Sequence, residues 1–311
     1  MSHAINGFET APINGFETAP INVSDPQYQA DAAFPADKAH LWSKIPTEED
    51  GWVRAHNAVR FEISEFKRAI QAVGTATALE AWQVDAVRAW MAGHMRHVHE
   101  HHHNEDAIFN PFLRTRINYP EKLEADHVAL VAQMEAIEGV VLRLGIGDWA
   151  RCWAELGEMW LRYEDLMLPH LHEEEVVGLP LARAFFTPQE IGKVVASFIS
   201  KGDPVSLGSF VHCMGHKKDV NQFMSQEGIP GFVWYLPGKG FKSLRTIYRK
   251  KMVSHIDSLV AGRIVSSVHK PKVVGKAPIG DENAIAEQPL SPLKRPNVAG
   301  PLANVRVLTS H

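Results

Sequence analysis

The sequence predicts an all-α protein, an up-down-up-down four-helix bundle followed by a helical extension. Four long segments between residues 47 and 178 carry apolar residues at helical spacing. Short stretches with proline or glycine separate them, and no segment alternates polar and apolar residues as a half-buried strand would. Helices joined by such short connections are expected to lie antiparallel to their sequence neighbours.

The bounds of the four helices are predicted from the residues that interrupt them. The predicted helices span residues 47–73, 78–109, 121–145 and 149–178. A glycine or proline stands beside the predicted ends, namely Gly74, Pro111, Pro120, Gly145 and Pro180. We expect Pro111 and Pro180 to stop their helices, because proline lacks an N–H and disrupts a helix interior.

The rest of the chain is predicted to flank this bundle. Residues 1–45 form a flexible leader that contains an eight-residue repeat, 5–12 and 13–20, which is either a local duplication or a short docking motif. Residues 46–185 form the bundle, and 186–265 form an extension with helices near 191–200, 205–226 and 241–261. Residues 266–311 lack aromatic and helical patterning and are expected to be disordered.

Composition excludes several classes of protein. The 311 residues carry a formal charge of −4 and a pI near 6.5, unlike the strongly basic domains that bind nucleic acid. No apolar run reaches the ~18 residues of a transmembrane helix, and the N-terminus does not resemble a secretory signal. The two cysteines, Cys152 and Cys213, do not make a disulfide framework, so a cytoplasmic protein is expected.

Histidine is the unusual residue of this chain. Six of the 17 histidines fall between His94 and His103. Two predicted helices carry the same pattern, His-x-x-x-Glu, as His101–Glu105 and His170–Glu174. This spacing puts an imidazole and a carboxylate one turn apart on one face. Such a pair can bind one metal ion through the imidazole while the carboxylate reaches a second ion.

Each of the other two helices has one histidine at a matching depth. The four histidines stand ten, ten, seven and ten residues from the proline at the predicted helix end. They are His56, His101, His127 and His170. At a rise of about 1.5 Å per residue, all four lie about 10–15 Å from the same end of an antiparallel bundle. Unrelated surface histidines would have no reason to share one level.

The residues that meet at this level predict a two-metal site. Imidazoles and carboxylates suit iron or manganese, and two bridging carboxylates hold two ions roughly 3.5–4 Å apart. The candidate metal ligands are His56, His101, Glu105, His127, His170 and Glu174. Glu175 is an alternative to Glu174, since the two are adjacent and the register of the helix is not fixed by the sequence.

The same segments resemble a known family. Residues 101–111 and 170–180 are similar to the two signature helices of the hemerythrin family, also called the HHE cation-binding domain, and 56–60 and 126–130 resemble its other two ligand helices. The resemblance covers residues 47–182. It implies a di-iron centre that meets dioxygen, with the four histidines as terminal ligands and Glu105 and Glu174 as bridges. Oxygen-carrying members have a further histidine where this chain has Val131, so an open metal position is expected instead of oxygen transport.

Several neighbouring residues have roles that the sequence leaves open. His94 and His97 precede His101 on roughly the same stripe and are either extra ligands or residues that support the ligands. Tyr163 lies two turns before His170 and is either a core aromatic or a catalytic residue that donates a hydrogen bond or an electron. The remaining histidines nearby are expected to be exposed, namely His99, His102, His103 and His172.

Two functions follow from these expectations. The first is a di-iron oxidase or oxygenase that uses dioxygen on a small apolar substrate, which the extension would cover. The second is an iron- or oxygen-binding protein, a sensor or buffer, without turnover. An apolar pocket between the bundle and the extension would favour the enzyme. A closed bundle would favour binding alone. The oligomeric state is not predicted by the sequence.

Overall fold

The computed structural model describes residues 21–75, 78–146 and 149–265, and within these ranges it contains helices and no strand. The predicted all-α class is therefore confirmed. The eight-residue repeat of residues 5–20 and the tail of residues 266–311 lie outside the described residues. In the part of the chain that is described, no helix is both long and apolar enough to cross a membrane.

Four long helices form the centre of the molecule. They are α1 (Gly51–Val73), α2 (Ala81–Asn104), α4 (Glu121–Arg143) and α5 (Trp149–Glu173), and the short helix α3 (Asn110–Leu113) lies between α2 and α4. The N-cap of α1 is Asp50, whose carboxylate accepts from the N–H of Trp52. Thr47 instead starts a short 3₁₀ turn, so α1 begins four residues later than predicted.

Neither Pro111 nor Pro180 ends its helix, contrary to the prediction. A five-residue π-helical turn lies before each proline, Glu105–Phe109 after α2 and Glu174–Gly178 after α5, with one residue between the turn and the proline. Helical backbone then continues, after the second turn through α6 (Leu179–Phe185). A proline ring normally clashes with the preceding turn. We infer that the wider π turn relieves this clash and allows the helix to continue.

The extension packs into the same core as the long helices. It contains α7 (Pro188–Lys201), α8 (Pro204–Cys213), α9 (Lys217–Gln226), α10 (Phe241–Tyr248) and α11 (Ser254–Ala261). The predicted helix at 205–226 is split into α8 and α9 at Gly215, whose φ of 75° lies in the left-handed region. Side chains such as Tyr248 and Met252 join the cluster formed around Phe66, Trp90 and Trp160.

The described part of the predicted flexible leader, residues 21–45, lies against the helices. Trp42 is buried and its indole N–H donates to the carbonyl of Phe186 at 2.9 Å. Ile21, Val23 and Tyr28 pack on a second apolar cluster, which contains Phe185. This part of the leader differs from the predicted flexible segment because its apolar side chains contact the ends of the helices.

Candidate metal centre

The two His-x-x-x-Glu motifs occupy equivalent places in the fold. His101 and His170 lie on the last turns of α2 and α5, and Glu105 and Glu174 are the first residues of the two π turns. π turns occur often at functional sites. Here both carboxylates are buried, with 4% and 1% of their surface exposed. The repeated local structure brings the two motifs together at one level.

The first set of side chains joins α1 to both motifs. His56, His101, Glu105 and Glu174 each offer a ligand atom, and these atoms lie within 4.8 Å of one another. His56 Nε2 is 3.2 Å from Glu174 Oε2 and 3.9 Å from Glu105 Oε1. His101 Nε2 is 3.4 Å from Glu105 Oε1. We call these four residues the first set.

A second set lies on the other side of the same carboxylates. It consists of His102, His127 and His170, all buried and likewise with ligand atoms within 4.8 Å of one another. His127 Nε2 lies 3.1 Å from His170 Nε2 and 3.7 Å from Glu105 Oε2. The other oxygen of Glu105 faces His101, so this carboxylate spans the two sets. The carboxylate of Glu174 also spans the two sets. Its Oε1 lies 4.0 Å from Nε2 of His127, and its Oε2 lies 3.2 Å from Nε2 of His56.

Outer carboxylates hold two of the histidines in place. The Nδ1–H of His56 donates to Glu175 at 2.9 Å, and Glu175 also receives two hydrogen bonds from Arg60, at 2.6 and 3.0 Å. The Nδ1–H of His127 donates to Asp106 at 2.8 Å. The neighbouring carboxylates raise the pKa of both His56 and His127, and when either ring is neutral a proton held on Nδ1 leaves the lone pair of Nε2 for a metal ion. Metal-binding histidines are commonly oriented in this way.

The inward-facing atoms could hold a metal ion. Several of them are buried and have no hydrogen-bond partner among the described residues. They are Nε2 of His56 and of His101, both ring nitrogens of His102, Oε2 of Glu105 and Oε2 of Glu174. A buried polar atom without a partner costs about 1–3 kcal/mol, so a cluster of them needs compensation. Imidazole nitrogens and carboxylate oxygens are suitable ligands for first-row divalent metals, and these buried groups could hold such ions.

The titration behaviour of the cluster is set by burial and by the shared carboxylates. Burial lowers the pKa of His101 to about 4 and that of His170 to about 3, so both rings are neutral at pH 7. Burial and the neighbouring Glu105 together raise the pKa of Glu174 to about 7. Two carboxylates this close resist ionising together. A cation between the two sets would favour the ionised form of both.

The structure brings all six predicted ligands together. His56, His101, Glu105 and Glu174 form the first set, and His127 and His170 belong to the second. Glu174, not its neighbour Glu175, is the glutamate that faces inward.

His102 was predicted to be exposed, and that prediction is wrong. It is 3% exposed, and its ring stacks on His127 with centroids 4.3 Å apart. Helical spacing could have indicated this position, because His102 falls on one stripe with buried Val98, Glu105 and Phe109. The centre therefore has five histidines, although position 131 is valine.

Tyr163 belongs to a separate buried network that the sequence did not predict. Its hydroxyl lies 3.0 Å from Nε2 of His94, and Nδ1–H of His94 donates to Glu62 at 2.7 Å. Glu62 also accepts from Nδ1–H of His97 at 3.1 Å and from the hydroxyl of Ser209 at 2.6 Å. The two histidines thus bind Glu62 in the structure. Among the described residues, the two sets of candidate ligands include neither these histidines nor Tyr163.

An apolar cavity of about 210 Å³ lies between the long helices and the extension. Its wall includes His101 and Glu105 of the first set. Apolar residues of α7 and α8 line the other side, among them Ile191, Val195, Phe198, Ile199, Leu207 and Phe210. None of the second-set histidines lines it. Within the described structure the cavity therefore reaches the candidate centre at the first set, which has two imidazoles where the second set has three.

Comparison with known proteins adds no identification. No protein-family model matches this chain, and no curated protein or solved structure matches it either.

Proposed function

We propose that this protein is a hemerythrin-like di-iron protein that oxidises a small apolar organic molecule with dioxygen. The observation that carries the proposal is the contact between the apolar cavity and the first set, through His101 and Glu105. Buried cavities with apolar walls and a few polar groups are typical of sites for small molecules. A site that only stores or senses iron would need no cavity for an organic molecule beside it.

The proposal includes the antiparallel four-helix topology of this family. Its support is the pairing of the long helices, with α4 against α5, α1 against α5 and α2 against α4. Further support comes from the two motifs, which supply one histidine and one glutamate each from α2 and α5 and their π turns. Dinuclear sites in helical bundles are built from such inward-facing residues.

In this proposal His56 and His101 would hold one ion, and His102, His127 and His170 would hold the other. Glu105 and Glu174 would be shared by both ions, because each carboxylate has one oxygen near the first set and one near the second. Iron at such a site supplies the electrons for reduction of dioxygen, a chemistry known for histidine and carboxylate sites with open positions. Manganese would suit the same ligands.

The protein's own residues then do three things. Glu175 and Asp106 hold the rings of His56 and His127 so that Nε2 faces the centre. The apolar side chains of α7 and α8 exclude water from the side of the first set. The cavity holds an organic molecule against His101 and Glu105. Because Cys152 and Cys213 are both free thiols, we place this activity in the reducing cytoplasm.

The first experiment is to measure metal content and the optical spectrum of anaerobically reduced protein before and after addition of air. We expect about two irons per chain, one for each set. We also expect an absorption band that decays, and faster dioxygen consumption when small apolar compounds are present.

Two variants control this experiment. His101→Ala should lower the iron content, whereas His103→Ala, at an exposed position on the same turn, should not. A band that is fully reversible under vacuum would indicate oxygen binding without turnover. Full iron content in His101→Ala would contradict the di-iron site itself.

A further inference from the structure

The charged side chains on the cavity wall are carboxylates. Asp50, Glu100, Glu105 and Glu227 line it, and no lysine or arginine does so within the described residues. Glu105 faces the candidate ligands, and Asp50 is paired with Arg183 at 2.7 Å. His97 also lines the cavity, but its Nδ1–H is bonded to Glu62, which offsets any charge on that ring. Glu100 and Glu227 remain as acidic groups of the wall.

Glu100 has one oxygen in use and one free. Its Oε1 accepts from the backbone N–H of Asp203 at 2.9 Å, just before α8. Its Oε2 is buried and has no hydrogen-bond partner in the described structure. A carboxylate oxygen in this position is a strong acceptor without a donor.

Ser206, on the first turn of α8, repeats this pattern. The residue is 8% exposed, lines the same cavity, and its hydroxyl oxygen has no hydrogen-bond partner among the described residues. A hydroxyl can accept as well as donate. The wall beside the first set therefore has two buried oxygens whose hydrogen bonds an occupant could supply.

We propose that the cavity binds a hydrophobic primary amine, a specificity that rests on the proposed function and names its substrate class. An ammonium group has three N–H donors and no acceptor, which matches Oε2 of Glu100 and Oγ of Ser206. Its charge neutralises Glu100. An alcohol supplies one donor and leaves that carboxylate charged, and a carboxylic acid anion is repelled by it.

The volume limits the apolar body of this amine. A cavity of about 150 Å³ holds benzene in a protein core, so about 210 Å³ admits a molecule of roughly ten non-hydrogen atoms. The aromatic rings of Phe198 and Phe210 and the aliphatic side chains of α7 provide its contacts. Octylamine has the size and chemistry expected of the occupant.

The test compares octylamine, octanol and octanoate, which differ in the head group only. Binding to the full-length metal-loaded protein is measured at pH 7 by titration calorimetry. We expect octylamine to bind at least about tenfold more tightly than the other two, since a charge-assisted hydrogen bond commonly contributes that much. If wild-type protein binds octanol or octanoate as tightly as octylamine, the proposal is overturned.

Variants then locate the head group. Glu100→Gln should bring the affinity for octylamine to within about twofold of that for octanol, whose own affinity should not change. Glu135→Gln makes the same chemical change at an exposed position of α4 and should have no effect. Retention of the amine preference in Glu100→Gln would contradict the assignment.

The two proposals fail in different ways. If octanol and octylamine bind equally, the amine specificity is wrong, whereas an oxidase for neutral apolar molecules remains. If none of the three compounds binds, the amine specificity is wrong and the proposed oxidase loses its supporting observation. If octylamine binds selectively but the protein holds no iron, the cavity assignment stands and the di-iron function is wrong.

Discussion

Glu174 and Glu175 are adjacent in sequence and contact opposite nitrogens of the same histidine. Oε2 of Glu174 is 3.2 Å from Nε2 of His56, and Oε1 of Glu175 is 2.9 Å from its Nδ1. Glu174 is 1% exposed and faces the candidate ligands, whereas Glu175 is paired with Arg60. The pair therefore separates two tasks, since one carboxylate offers an oxygen to the centre and the other orients the ring.

This arrangement predicts that the two glutamates differ in their effect on metal binding. Glu174→Gln removes an anionic oxygen from both sets and should lower the metal content to about one ion or less per chain. Glu175→Gln keeps all direct ligands and should weaken binding by about 10- to 100-fold, the usual effect of losing such an outer partner. Metal analysis after dialysis and competition titration with a chelator measure both. Equal effects of the two substitutions would contradict the assignment.

A second prediction concerns His102, whose ring stacks on His127 at a centroid distance of 4.3 Å. If His102 is a ligand of the second set, His102→Ala should weaken the binding of one ion by more than the ~100-fold limit for an outer partner. His103→Ala removes an imidazole from the next residue, which is exposed, and should leave binding unchanged. The same chelator titration distinguishes them. Unaltered affinity in His102→Ala would show that its role is packing alone.

The sequence predicted the parts of this molecule that repeat a local pattern. Apolar spacing located the four long helices, and the distance of each histidine from a proline predicted that His56, His101, His127 and His170 would share one level. Such features depend on helical geometry alone. The all-α class and the grouping of these residues follow from it.

The features that sequence reasoning missed depend on contacts between distant segments. Glu62 reads as one more charged residue of an amphipathic helix, yet Ser209 and two histidines of α2 bury it completely. The two π turns are likewise invisible in an apolar pattern, because one extra residue per turn alters the register after Glu105 and Glu174. Both require knowledge of what packs against the helix.

A third prediction uses Gly192, which lines the cavity from α7. A Cβ at this position would come no closer than 4.0 Å to Oε2 of Glu227, so a side chain can enter the cavity without displacing backbone. Gly192→Phe should abolish binding of octanol and octylamine but retain the metal. Its free energy of unfolding should stay equal or rise by up to ~1 kcal/mol, since glycine is a poor helix former.

The control for this substitution is Gly139→Phe on α4, where an added Cβ meets no atom within 4 Å and which does not line the cavity. It should leave ligand binding unchanged. Calorimetric titration, metal analysis and urea unfolding together test the prediction. Tight octanol binding in Gly192→Phe would mean that the ligand lies elsewhere.

The last prediction concerns the stability of the network around Glu62. Burial raises the pKa of Glu62, but His97 and His94 lower it by more, so the net pKa lies well below its ordinary value of 4.5. Burial lowers the pKa of His97, but Glu62 raises it by more, to above its ordinary value of 6.5. We therefore expect Glu62 and His97 to form a buried ion pair in the folded protein, and loss of one partner should cost about 3 kcal/mol.

The pH dependence of this cost follows from the directions in which the pKa values of Glu62 and His97 are shifted. The contribution of Glu62, whose folded pKa is depressed, is present above pH 4.5 and is lost as the pH falls towards its folded pKa. The contribution of His97, whose folded pKa is raised, is fully present below pH 6.5 and is lost as the pH rises above 6.5 through its folded pKa. The difference in unfolding free energy between wild type and Glu62→Gln should thus be largest between pH 4.5 and 6.5. Urea unfolding at constant metal content measures it.

The control is Glu164→Gln, which breaks the partly exposed pair with Lys67 and should cost less than about 1 kcal/mol. If Glu62→Gln costs no more than this control, or its cost grows as the pH falls below 4.5, the buried ion pair is absent.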